Sequence, residues 1–127
     1  MTDSPASNAR KVLVVDDSAA IRALTKAVLS VDERLIVVEA NDGIEALSAV
    51  ESDRPDLILL DINMPRMDGF QVLRTLRTNT DTLDIPVILF SADRPRELPS
   101  NHNADFIAKP FDPSDLLSKV LQTLAQA

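Results

Sequence analysis

Leu57-Ile58-Leu59-Leu60-Asp61 is an aliphatic run that ends on a carboxylate. Such an unbroken run is typical of a strand that is buried on both faces of a parallel sheet. Three other apolar runs also end on polar side chains: residues 12–15 before Asp16 and Asp17, residues 87–90 before Ser91, and residues 106–108 before Lys109. The carboxyl ends of parallel strands meet at one edge of the sheet, where ligands bind. The sequence therefore predicts that three carboxylates, a hydroxyl and an ammonium group converge on one site.

This combination of side chains indicates phosphoryl chemistry on an aspartate. Asp16, Asp17 and Asp61 would repel one another unless a hard cation neutralised them, and Mg²⁺ prefers oxygen ligands of this kind. Ser91 and Lys109 would then face an anion. Each feature alone also has an ordinary interpretation, because an acidic pair can cap a helix and an aspartate after a strand can start a turn. Only their joint occurrence at one sheet edge favours the phosphoryl site.

Helical patterns separate the apolar runs. Strands are predicted over residues 11–15, 35–38, 56–60, 85–90 and 104–108. The first helix is predicted over residues 18–31, with Ile21, Leu24 and Val28 inward. The second follows Asn41 as its cap, with Ile44, Leu47 and Val50 inward, and the third follows a capping box of Asp68 and Gln71, with Phe70, Leu73 and Leu76 inward. Another helix is predicted to start at Asp112-Pro113. This alternation predicts a doubly wound α/β sandwich over residues 11–127, preceded by a flexible tail of residues 1–10.

The connection between the fourth and fifth strands breaks this alternation. Parallel neighbours need a crossover, which is usually a helix. Residues 93–103 contain Pro95 and Pro99, which disfavour a continuous helix, and only Leu98 is available for an apolar stripe. We therefore predict that this crossover helix, the fourth in chain order, is shortened or absent, and that the connection is irregular and mobile.

Composition narrows the classes of function. The chain has 127 residues, a net charge of -7 and no cysteine. The acidic balance argues against direct binding of nucleic acid, and the absence of cysteine excludes disulfides and thiolate chemistry. No apolar run has membrane-spanning length, and the first ten residues lack the apolar core of a signal peptide, so the expected location is cytoplasmic. The last predicted helix ends near Gln126 without a following linker, which favours a stand-alone protein.

From Lys11 onward, the chain resembles the receiver domains of two-component response regulators, the family of the chemotaxis regulator CheY. The resemblance rests on Val14-Val15-Asp16-Asp17-Ser18, on Leu60-Asp61-Ile62-Asn63-Met64-Pro65-Arg66-Met67-Asp68-Gly69, on Ser91-Ala92 and on Phe106-Ile107-Ala108-Lys109-Pro110-Phe111. It implies a flavodoxin-like, five-stranded parallel sheet in the order 2-1-3-4-5.

The resemblance also implies a role for each site residue. Asp61 would be the phosphoacceptor, with Asp17 and the backbone carbonyl of Asn63 as Mg²⁺ ligands beside it and Asp16 acting partly through water. Ser91 and Lys109 would bind the phosphoryl oxygens, and the backbone amides of Asn63 and Ala92 could add hydrogen bonds. Phe106 would be the aromatic switch that responds to Ser91, and Lys109-Pro110 would be a cis peptide. The positions of Asn63 and Asp93 modulate dephosphorylation in that family, which implies a fairly short-lived phosphoryl group.

The predicted function is a signalling switch rather than a turnover enzyme. Asp61 would take a phosphoryl group from a histidine kinase or a phosphotransfer protein, and the domain would then change its surface for a downstream protein target. The unphosphorylated protein is predicted to be a monomer.

Three other functions remain as alternatives. A phosphatase of the haloacid dehalogenase type would need a second Asp where this chain has Asn63, and usually a cap domain. A flavodoxin-like electron carrier would need a glycine-rich phosphate loop where Asp16 and Asp17 stand. A receiver-like binding module that works without phosphorylation would not need Asp61, Ser91 and Lys109 together.

Overall fold

A computed structural model describes residues 9–64, 68–91 and 104–126 of the chain. Its elements, in chain order, are β1 Arg10–Val15, α1 Ala19–Leu29, β2 Leu35–Ala40, α2 Gly43–Ser52, β3 Leu57–Asp61, α3 Gly69–Thr78, β4 Val87–Ser91, β5 Ala104–Ala108 and α4 Pro113–Gln126. The five strands form one sheet in the order β2-β1-β3-β4-β5, and every pair is parallel. The predicted fold class is therefore confirmed.

The sheet lies between two helical layers, each with its own apolar core. On one face, side chains of α2 and α3 pack against the sheet, and on the other face side chains of α1 and α4 do so. Every residue of β3 and β4 is buried, which explains why both strands are unbroken apolar runs, without alternation, up to the polar residue at their ends. Asp61 pairs with Phe90, and Ser91 pairs with Ala108. This register brings the carboxyl ends of the central strands to the same level.

Local sequence accounts for the starts of the helices, with one correction. The predicted capping box is confirmed: the Gln71 amide donates to Asp68 Oδ1 at 2.9 Å, and the Asp68 amide donates to Gln71 Oε1 at 2.9 Å. The predicted cap at Asn41 is wrong, because Asp42 accepts from the Glu45 amide at 2.7 Å and is the N-cap of α2. A carboxylate at this position also favours the positive end of the helix dipole.

Two predicted inward side chains point outward. Leu24 is 49% exposed and Ile44 is 56% exposed. In α1 the buried residues are Thr25 and Leu29, with the predicted Ile21 and Val28 partly buried beside them, and in α2 the buried residues include Ala46 and Val50. Helical periodicity gives the apolar stripe, but the centre of the buried face depends on how the helix is rolled against the sheet.

The predicted irregular connection over residues 93–103 lies outside the described residues, as do residues 1–8 of the predicted tail. Across the three described ranges, no helix is both long enough and apolar enough to cross a membrane.

Candidate functional site

Three carboxylates meet at the carboxyl edge of the sheet, as predicted. Asp16 directly follows β1, Asp61 ends the neighbouring strand β3, and together with Asp17 they present oxygen atoms that all lie within 4.8 Å of one another. Asp16 and Asp61 are buried, whereas Asp17 is exposed. The cluster could hold a cation that enters from the solvent side, and its hard oxygen atoms suit Mg²⁺.

Lys109 extends its ammonium group into this cluster from the end of β5. Its Nζ lies 2.7 Å from Asp16 Oδ2 and 3.5 Å from Asp61 Oδ1. It also lies 4.7 Å from the centroid of the Phe90 ring, close enough for a cation–π contact. The Lys109 amide donates to the Ser91 carbonyl at 2.8 Å, and the Lys109-Pro110 peptide is cis, as predicted. The closest partner of the Lys109 ammonium group is therefore Asp16 rather than Asp61, the predicted phosphoacceptor.

Asn63 connects the predicted acceptor with the predicted switch hydroxyl. Its backbone amide donates to Asp61 Oδ1 at 3.2 Å, and its side-chain Nδ2 donates to Ser91 Oγ at 2.7 Å. Ser91 is buried at the end of β4. The sequence indicated a role for the Asn63 backbone, but the side-chain bond joins the segment after β3 to the end of β4, 28 residues away, and no local pattern predicts it.

The electrostatic balance of the site is negative. Burial of Asp61 and the neighbouring charge of Asp16 raise the pKa of the Asp61 carboxyl, and Lys109 together with the Asn63 amide opposes this only in part. A carboxylic acid with a raised pKa in the folded state costs stability once it is ionised. A cation that binds beside the ionised Asp61 carboxylate should therefore stabilise the folded protein.

Gly69 is a structural requirement of the site that the sequence analysis missed. A Cβ atom at this position would lie 2.5 Å from the Asp61 carbonyl oxygen and 2.8 Å from Ile62 Cα. The Gly69 amide also donates to the Ile62 carbonyl at 2.9 Å. The first turn of α3 is thus pressed against the backbone that carries Asp61. A glycine at the first position of a helix, where it is a weak helix former, was the available signal.

Arg22 is a second residue that the sequence analysis missed. It lies on α1, and its guanidinium donates to the Asp16 carbonyl at 2.6 Å and to Glu39 Oε1 at 3.1 Å.

Three further residues were predicted to belong to the site or to respond to it. Phe106 is buried in β5, in the core on the side of α2 and α3. Ala92 and Asp93 lie outside the described residues.

An open parallel sheet with acidic residues at its carboxyl edge is the architecture of a nucleotide- or phosphoryl-binding α/β domain. Comparison with known families narrows this class, because the family described as response regulator receiver domain matches residues 12–121. The chain belongs to this family and is a receiver domain of two-component signalling.

Individual relatives agree with this assignment. Response regulator MprA of Mycobacterium ulcerans (strain Agy99) is 39% identical in an alignment 114 residues long, which covers 87% of this chain and 48% of the relative. The chain thus spans about half the length of the curated relatives that it matches. Among solved structures, the chemotaxis protein CheY4 of Vibrio cholerae matches with a TM-score of 0.79 and 32% identity over 91% of this chain and 98% of that one. The signal receiver domain of a Luxo repressor protein of Vibrio parahaemolyticus matches with a TM-score of 0.84 and 30% identity over 93% and 92%.

The repulsion within the cluster predicts that Asp61→Asn stabilises the metal-free protein. Removing the buried charge should raise the free energy of unfolding by about 1 kcal/mol near neutral pH. The gain should shrink as the pH falls through the raised pKa of folded Asp61, and it should vanish below the ordinary carboxyl pKa of 3.8, where this carboxyl is protonated in both the folded and the unfolded chain. Thermal unfolding in the presence of a chelator measures both effects. Asp53→Asn, which removes an exposed partner of Lys11, is the control and should change the free energy by under about 0.5 kcal/mol. A variant of Asp61 that is no more stable than this control would contradict the account.

Proposed function

We propose that this chain is a phosphoacceptor switch in which Asp61 takes a phosphoryl group from a phosphohistidine of a histidine kinase or phosphotransfer protein. The observation that carries the proposal is the position of the Asp61 carboxylate, which lies between two further carboxylates and the ammonium group of Lys109. Phosphoryl transfer needs a positioned nucleophile and neutralisation of the charge on the phosphoryl oxygens, and these residues supply both.

The residues present fit a bound Mg²⁺. Asp17 and Asp61 would ligate it with their carboxylates, Asn63 with its backbone carbonyl, and Asp16 partly through water. The carboxylate oxygens are close enough to share one ion. When bound, the ion would neutralise negative charge on the transferred phosphoryl group.

In the transfer step, a carboxylate oxygen of Asp61 attacks the phosphorus atom in line with the leaving group. A bond forms between this oxygen and phosphorus, the bond between phosphorus and the histidine nitrogen breaks, and its electron pair leaves with the imidazole. Lys109 Nζ can move from Asp16 Oδ2 to a phosphoryl oxygen, because it already lies 3.5 Å from Asp61 Oδ1. The backbone amide of Asn63 donates to the same region, and we assign the amide of Ala92 a similar role.

The signal would leave the site through Ser91. Its hydroxyl accepts from Asn63 in the unphosphorylated state and would turn to donate to a phosphoryl oxygen after transfer. The movement would open space that the Phe106 ring can enter. A change of charge at Asp61 would thus become a change of the surface that a downstream protein binds.

Intact mass spectrometry after incubation with acetyl phosphate tests the proposal. We expect the mass of a single phosphoryl group to be added in the presence of Mg²⁺ and none in the presence of a chelator. Ranking transfer rates from phosphorylated histidine kinases would then identify the donor. Failure to take up a phosphoryl group from either source would instead favour a receiver-like binding module that works without phosphorylation.

The proposal also covers the catalytic role, the oligomeric state and the cellular location of the protein. It acts as a switch that catalyses only its own phosphorylation and dephosphorylation, it is monomeric before phosphorylation, and it works in the cytoplasm. Their support is the membership of the chain in the receiver-domain family.

Asn63→Arg is predicted to lengthen the lifetime of the phosphoryl group several-fold. Asn63 borders the acceptor and is exposed, so its side chain can help to order an attacking water. A bulky arginine would displace that water and place a positive charge beside the phosphoryl oxygens. Decay of phosphorylated protein after removal of the donor measures the lifetime. Asn79→Arg at the end of α3 is the control, and equal decay in the two variants would remove this role from Asn63.

A further inference from the structure

Arg22 forms a hydrogen bond to the main chain of the β1–α1 loop, which carries the two acidic residues Asp16 and Asp17. We infer that Arg22 is a positioning residue for the cation site: it fixes the peptide group between Asp16 and Asp17 so that the Asp17 carboxylate faces Asp61. This inference rests on the proposed function, because it concerns the affinity of the same site for Mg²⁺.

The contacts of Arg22 run in two directions. Its Nη1 donates to the carbonyl oxygen of Asp16 at 2.6 Å, and its Nε donates to Glu39 Oε1 at 3.1 Å. Its side chain is only 17% exposed. Glu39 lies on β2 and anchors the guanidinium, so the loop is tied to the edge strand through Arg22. Arginine suits this role because its rigid, planar group can serve two acceptors at once, whereas lysine has a single nitrogen on a flexible stem.

The carbonyl that Arg22 binds has a specific mechanical consequence. The peptide group is planar, so holding the oxygen of Asp16 also fixes the direction of the Asp17 amide and of the Cα atom that follows. Asp16 has its own restraints: its amide donates to Ala40, and its carboxylate accepts from Ser18 and Lys109. Asp17 is exposed and cannot be oriented by packing. Among the described contacts, the bond from Arg22 is the one that acts on the peptide leading into Asp17.

The position of Arg22 in its helix gives an independent argument. It is the fourth residue of α1, near the end of the helix where the dipole disfavours a positive charge. The helix therefore gains little from a cation at this place, and the contact with the loop supplies the compensating interaction. Lys26, one turn further along the same helix, is exposed.

Arg22 has two opposing effects on the affinity of the site for Mg²⁺. A guanidinium near the site repels a divalent cation, so its removal would strengthen binding if charge dominated. If positioning dominates, its removal weakens binding, because residues that orient metal ligands typically contribute about 10-fold to 100-fold in affinity. We expect positioning to dominate, since Arg22 reaches the backbone of Asp16 directly while its charge is already paired with Glu39.

A Mg²⁺ titration of the melting temperature separates these effects. The chain has no Trp and no Tyr, so calorimetry is a better readout than intrinsic fluorescence. In Arg22→Met the Mg²⁺ concentration for half of the maximal stabilisation should rise about 10-fold. In Arg22→Lys, which keeps the charge but cannot bridge both acceptors, it should rise by a smaller factor. Lys26→Met removes the same charge from the same helix without touching the loop, and should leave it unchanged.

Phosphorylation by acetyl phosphate gives the second readout. At saturating Mg²⁺ the maximal rate of Arg22→Met should remain within about twofold of the parent, because transition-state residues are intact and only cation affinity has changed. The inference would be overturned if the Mg²⁺ concentration for half-maximal stabilisation were unchanged or lower in Arg22→Met than in the parent. If the methionine variant does not fold, an unchanged Mg²⁺ concentration in Arg22→Lys would overturn it instead. A parent protein that Mg²⁺ does not stabilise would contradict the proposed cation site itself, which is a distinguishable result.

Discussion

Asp61→Asn is expected to reduce phosphorylation of this chain by acetyl phosphate and by any phosphohistidine donor to background. Asparagine keeps the shape of the side chain, and its carbonyl oxygen can still accept from the Asn63 amide that now bonds Asp61 Oδ1. It has no anionic oxygen to attack phosphorus. Intact mass spectrometry with Mg²⁺ present measures the result directly.

Unfolding cannot explain this loss, because the same substitution removes a buried charge and should stabilise the metal-free protein. Asp53→Asn is a matched control, since Asp53 precedes β3 and lies at the opposite edge of the sheet from Asp61. It should take up phosphate like the parent protein. Full labelling of Asp61→Asn would move the acceptor to another carboxylate, with exposed Asp17 as the first candidate.

Gly69→Ala is expected to destabilise the protein by about 2–3 kcal/mol, in the upper part of the range of about 1–3 kcal/mol that is typical of overpacking. The added Cβ would meet the Asp61 carbonyl oxygen at 2.5 Å and Ile62 Cα at 2.8 Å. Both are backbone atoms, so no side chain can turn aside. The helix cannot move away cheaply either, because Val72, Leu73 and Leu76 of α3 are buried in the core.

The sign of this effect makes the test decisive. In an open helical position, replacing glycine by alanine stabilises a protein by up to about 1 kcal/mol. Urea denaturation gives the free energy of unfolding, and Thr78→Ala at the exposed end of the same helix is the control for propensity, expected within about 0.5 kcal/mol of the parent. A Gly69→Ala protein as stable as the parent would show that the backbone beside Asp61 can yield. We also expect slower phosphorylation in this variant, because Asp61 and Asn63 would be displaced.

The aliphatic runs and the polar residues at their ends were enough to predict most of the strands and helices and the residues of the site. Strands made of unbroken aliphatic runs are buried on both faces, and such strands must be parallel and covered by helices. Polar residues at the ends of these runs were therefore bound to meet at one edge, as Asp16, Asp61, Ser91 and Lys109 do. The order of the strands came from the resemblance to receiver domains, since alternation alone permits several orders.

The bonds among these groups, in contrast, follow from how the strands and helices pack in three dimensions. Lys109 pairs most closely with Asp16, 93 residues away, and Asn63 donates to Ser91, 28 residues away. These choices depend on differences of less than about 1 Å, because hydrogen bonds weaken steeply with distance and angle. Arg22 and Gly69 escaped the sequence analysis for the same reason. Their importance comes from backbone atoms of Asp16 and Asp61 that approach them only after the helices have packed on the sheet.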